Sequence, residues 1–90
     1  MRKATFNEVI DAIAIERTFQ DAKWGSIESN PHDKGTWFIL TEAELSEVKE
    51  ALIKGGTGRN SFAQELVQVA ALCVATLEQH GLGHKEGRDL

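Results

Sequence analysis

The chain has 90 residues, 41% of them apolar and 27% charged, with one proline and one cysteine. That length accommodates one domain, and the balance of apolar and charged residues excludes disordered, collagen-like and low-complexity classes. Ten Lys and Arg against fourteen Asp and Glu give a net charge of −4, which argues against a nucleic-acid binder or a protein held on an anionic membrane.

No secretory leader fits the start, because Glu8 and Asp11 interrupt the apolar stretch that should follow Met1-Arg2-Lys3. The longest uncharged run, Leu66 to Leu77, is far short of the roughly 20 residues of a membrane span. A lone Cys73 excludes an internal disulfide framework and a cysteine-based zinc site, and fits a reducing cytoplasm. A monomer this small buries only about 60–65% of its unfolded surface, so a partner subunit is expected.

The pattern is helical. Asn7 is a candidate N-cap for a first helix to about Ala22, in which Phe6, Val9, Ile10 and Ile13 recur at helical spacing. Ser26 to Lys34 is polar and contains Pro31, so it reads as a loop, with Trp37 to Leu40 as an apolar lead-in. Thr41 with Glu44 three residues on has the form of a capping box and predicts a second helix to about Lys54. Gly55-Gly56-Thr57-Gly58 breaks that helix. Lacking a Gly-Lys-Ser/Thr ending and a preceding strand, it is an interhelical turn rather than a phosphate loop. Ser61 with Gln64 repeats the capping-box pattern and opens a third helix to about His80. Residues 1–80 thus form one helical domain, and 81–90 a loose polar tail.

The third helix is apolar nearly all round between Leu66 and Leu77. Three helices cannot cover it, which predicts a bundle completed by a second copy of the chain. Glu65 and Gln68 lie about 60° apart on one of its faces. With Glu44 at zero on the second helix, Val48, Leu52 and Ala51 fall within about 80° of it and Glu47 about 60° to the other side. Both glutamates therefore border the apolar arc. As bland alternatives, Glu65 suits a first-turn position on the helix dipole and Glu44 the capping box; Glu47 has no such role, though paired surface glutamates stay open. Three inward-leaning carboxylates without partners would cost several kcal/mol. A hard divalent cation, Mg²⁺ above all, is the usual remedy.

On the first helix the apolar stripe turns polar at Glu16, Arg17 and Gln20, as happens where a bundle opens into a site. Lys23 and Trp24 follow, a cation for phosphate and an indole for stacking on a base. Trp37 reads as a core aromatic and Cys73 as a small buried hydrophobe. His32, His80 and His84 have no metal-ligand spacing, and His80 suits a helix C-terminus.

The order Glu44-Leu45-Ser46-Glu47, then Glu65-Leu66-Val67-Gln68, with Glu16 to Gly25 upstream, resembles the MazG-like all-α nucleoside triphosphate pyrophosphohydrolases over about residues 7 to 80. Their signature is Glu-Glu-x-x-Glu on one helix and Glu-x-x-Asp on the next. The resemblance implies an all-α bundle of three main helices completed as a homodimer or a pair of dimers. It implies that Glu44, Glu47 and Glu65, with Gln68, hold Mg²⁺ (or Mn²⁺), and that water attacks the α-phosphate of a nucleoside triphosphate to give the monophosphate and pyrophosphate. Arg17, Lys23, Lys54 and Arg59 become candidate phosphate contacts, and Gln20 and Trp24 candidate base contacts. Two positions depart from the signature: Ala43 replaces its first glutamate, and Gln68 replaces its aspartate and removes one negative charge. A non-catalytic nucleotide-binding module and a purely structural helical oligomerisation domain are the competing readings.

Overall fold

Each α-helix of the chain begins on a side chain that satisfies its first free N–H groups. In the computed structural model, which describes residues 1–83, Thr5 Oγ1 accepts from Glu8 N while Glu8 Oε1 accepts from Thr5 N, a reciprocal capping box that opens α1 (Phe6–Trp24). The cap therefore lies two residues before Asn7. Asp33 accepts from Thr36 N at 2.7 Å and opens α2 (Lys34–Lys54). These hydrogen bonds to Thr36 hold the Asp33 carboxyl below its ordinary range. Ser61 accepts from Gln64 N and opens α3 (Phe62–His80). Among the described residues there is no strand, and no helix is long and apolar enough to cross a membrane. His84 and the rest of the expected tail from 84 to 90 lie outside the described residues.

The start of α2 corrects the expectation drawn from Thr41. That side chain donates to Trp37 O at 2.8 Å from mid-helix, and the segment from Trp37 to Leu40 is helical rather than a lead-in. Glu44 consequently has no capping duty at all.

α3 packs against both α2 and α1, while α1 and α2 share no comparable packing. The core is small: Trp37, Leu72 and Ala75 form its central cluster, with Val48, Ala51 and Ala71 also buried. The other three buried residues are Glu16, Gln20 and Glu65, so the junction of the helices is polar.

Much of the apolar surface stays open in the single chain. Phe6, Phe38, Leu52 and Ile53 are all more than 60% exposed, and Leu66 and Leu77 of α3 remain exposed. Cys73, expected to be buried, is exposed too. It lies with Phe38, Thr41 and Leu77 along a shallow groove between α2 and α3.

Candidate functional site

Three carboxylates, one from each of α1, α2 and α3, surround Glu44. Glu65 opens the first turn of α3 and is only 6% exposed, and Glu16, midway along α1, only 5%. The Glu44 carboxyl is pushed up to about 8, first by burial, then by hydrogen bonding to and repulsion from Glu65, then by the charges of Glu47 and Glu16. No N–H or O–H donor among the described residues reaches its buried Oε2, which is rare for such an atom, and its hydrogen bond to Glu65 requires a proton on one of the two carboxyls. Glu47, one turn along α2, is exposed and lines the same cavity as Glu44. Among the described residues, no three His, Cys, Asp or Glu side chains stand in a ready-made ligand arrangement. One reason is visible in Glu16, whose two oxygens both face an arginine.

That arginine is Arg59. Its Nη1 and Nη2 donate to Oε1 and Oε2 of Glu16, each at 3.1 Å, and its guanidinium lies 4.3 Å from the centroid of the Phe19 ring. The hydrogen bonds to Glu16 raise its pKa against a smaller lowering by burial, with the charges of Glu16, Glu65 and Glu44 adding to the rise. Arg59 sits in a single 3₁₀ turn, Gly58–Asn60, that the glycine run makes possible. Gly55 caps α2 in the left-handed region at φ 74°, where a side chain is disfavoured. A Cβ on Gly56 would stand 1.9 Å from Asn60 O, so only glycine fits there. Gln68 Nε2 donates to Arg59 O at 3.1 Å, and Gln20 Nε2 donates to Glu16 Oε2 at 3.4 Å and to Gln68 O at 3.5 Å.

Beside the carboxylates opens a cavity of about 520 Å³, within the range of small-molecule sites. Glu44, Glu47, Gln20 and Arg17 supply polar groups, and Trp24, Ile27, Trp37, Leu40 and Leu72 make it largely apolar. Arg17 is held by Asp21 at 2.8 Å and Glu78 at 2.6 Å, and these partners raise its pKa against the opposing effect of burial. Lys23 lies over the rings of Trp24 (5.0 Å) and Phe19 (6.0 Å) rather than in the cavity lining. Lys54 is also outside that lining and pairs with Glu50 at 3.7 Å on the surface. The structure thus brings Glu44, Glu47, Glu65, Gln68, Gln20 and Arg59 to one junction, and Arg17 and Trp24 to the cavity. It leaves Lys23 and Lys54 outside.

Two features go beyond the sequence reading of the site. Glu16, already marked by the sequence as the point where the α1 stripe turns polar beside a site, is also a fourth carboxylate of the cluster, a role no spacing assigned to it. Gln79 is the other. Its Oε1 accepts from Trp37 Nε1 at 2.8 Å and from His32 N at 3.0 Å, and its Nε2 donates to His32 O at 2.5 Å. His80 Nε2 also reaches His32 O, at 3.0 Å, and the His32 ring meets Trp37 edge-on at 4.9 Å. This network fastens the segment between α1 and α2, one wall of the cavity, to the end of α3. No sequence motif announces it.

Compared with protein-family models, curated proteins and solved structures, the chain matches none.

Proposed function

We propose that the protein is a Mg²⁺-dependent nucleoside triphosphate pyrophosphohydrolase of the MazG-like kind. The observation that carries this reading is the buried Oε2 of Glu44, which accepts from no donor among the described residues and is crowded by three other carboxylates. Protonation relieves that crowding near neutral pH, and a divalent cation would relieve it better. The donors are carboxylate oxygens, the set a hard ion such as Mg²⁺ or Mn²⁺ prefers. Glu44, Glu47 and Glu65 would hold the ion, with Glu16 within electrostatic reach and Gln68 beside them. When bound, the ion supplies charge neutralisation for the triphosphate and a more acidic water.

The chain's own residues do the rest. Trp24, Trp37 and Leu40 offer apolar and aromatic surface for a nucleoside, and Gln20 and Arg17 offer polar contacts at the same cavity. A carboxylate of the cluster not spent on the ion takes the proton from the attacking water. The water oxygen bonds to the α-phosphorus as the α–β anhydride bond breaks, leaving the nucleoside monophosphate, and pyrophosphate departs with the electron pair.

The apolar surface of α1 and α2 left open in the single chain supports assembly as a homodimer or a pair of dimers. It includes Phe6, Val9, Ile10 and Ile15 of α1 and Phe38, Ile39, Leu52 and Ile53 of α2, and a joined apolar patch is what a partner subunit would cover. A nucleotide-binding module without turnover is the second reading. It is favoured by one observation: Gln68 lacks the charge of an aspartate, and its amide is engaged with Arg59 O.

A pyrophosphate-release assay over natural and modified nucleoside triphosphates, with and without Mg²⁺, tests the proposal. Metal-dependent release that vanishes in Glu47→Gln is expected. Nucleotide binding by calorimetry with no release selects the second reading, and absence of both overturns the two together.

A further inference from the structure

We infer that Arg59 is an internal counter-ion of the carboxylate cluster, one that closes on Glu16 in the metal-free protein and is released toward substrate phosphate when a divalent cation binds. This rests on the Mg²⁺ reading above and goes beyond it.

Glu16 is 95% removed from solvent, and an unpaired charge there would be costly. Arg59 satisfies both of its oxygens with a two-pronged fork, the strongest geometry available to a carboxylate. While the fork is closed, both oxygens of Glu16 are engaged by the guanidinium. A divalent cation arriving at Glu44 and Glu65 reverses the balance, because it draws the carboxylates to itself and repels the guanidinium beside them.

Arg59 is built to move as a side chain and not as a backbone. Its side chain is 50% exposed, so the guanidinium can leave without a new desolvation cost. Its main chain is pinned by Gln68 Nε2 on Arg59 O and by the turn that Gly56 makes possible. An aspartate or glutamate at 68 would have no N–H to donate, so the amide there serves the strut. Once released, the guanidinium is a permanently charged fork suited to a phosphate.

Arg59→Met, which keeps a stem for the Phe19 ring, separates this role from a structural one. Calorimetry with Mg²⁺ alone should show about tenfold tighter binding than wild type, as expected when a nearby positive charge is removed. Pyrophosphate in saturating Mg²⁺ should bind about tenfold more weakly, since one charged fork is lost. In the wild-type protein, the Arg59 Nε–H and guanidinium signals in ¹⁵N NMR should shift and lose their restricted rotation on addition of Mg²⁺. This last readout holds even if the variant does not fold.

Unchanged Mg²⁺ affinity in Arg59→Met, or pyrophosphate bound no more weakly, contradicts the switch. So does an Arg59 signal in the wild type that ignores saturating Mg²⁺. If wild-type protein takes up no Mg²⁺ at all, the metal reading falls and the switch with it. If it takes up Mg²⁺ while Arg59 stays closed, the switch alone falls.

Discussion

Two partly buried polar regions share this small bundle, and they are built on opposite terms. Around Gln79 the hydrogen-bonding groups are paired: the Trp37 indole and the His32 main chain each find a partner on one amide. Around Glu44 the groups are ionisable, crowded and alike in sign, and one buried oxygen accepts from no donor among the described residues. A satisfied network holds a loop in place. An unsatisfied acidic one holds free energy in reserve that only a proton or a cation can release. The first region holds a cavity wall in place, and the second is the one to which the proposed chemistry is assigned.

The sharpest way to break the comparison is to neutralise the acidic region. Glu44→Gln or Glu47→Gln should reduce Mg²⁺-dependent pyrophosphate release to background while the fold persists by circular dichroism. The matching change in the other region, Gln79→Ala, should do the reverse. It strands Trp37 Nε1 and the His32 backbone, at about 1–3 kcal/mol, and lowers the melting temperature by about 5–20 °C. Turnover should suffer only as far as the cavity wall loosens. If Gln79→Ala leaves stability untouched, the distinction between the regions is lost.

A pH series sharpens the comparison further. The Glu44 carboxyl titrates near 4.5 in the unfolded chain and at about 8 in the folded protein. The folded state therefore holds a proton that the unfolded state releases, and stability from this group falls as pH rises from about 4.5 through about 8. Between pH 5 and 8 the metal-free melting temperature should decline, saturating Mg²⁺ should flatten the decline, and Glu44→Gln should remove its share of it. Mg²⁺ bound at the proposed site would displace that proton, so metal uptake at pH 7 should release protons to buffer. The smallest effect lies far from both regions: Thr5→Ala breaks the capping box of α1 and should cost about 1 kcal/mol by chemical denaturation.

Helices were the legible part of the sequence, because their signals are local. Ser61 with Gln64 and the glycines from Gly55 marked real ends. The same local logic misplaced the start of α2, since Thr41 and Glu44 have the spacing of a capping box while the real cap, Asp33, sits in what reads as a loop. At the site, Glu44, Glu47, Glu65 and Gln68 could be found by helical phase alone. Glu16 and its bond to Arg59 join residues 43 apart, and Gln79 reaches back 47 residues to His32; no local periodicity encodes such pairs. Cys73 shows the converse limit: an apolar helix segment states that a face needs covering, but not whether this chain covers it.

Whether the Glu44 cluster takes a divalent cation, as proposed, can be read from the melting temperature at pH 7.5 across a Mg²⁺ titration, in wild type and in the triple variant Glu44→Gln, Glu47→Gln, Glu65→Gln. A saturable rise is expected in the wild type and none in the variant. A wild type indifferent to Mg²⁺, or an equal rise in both proteins, would contradict the proposal.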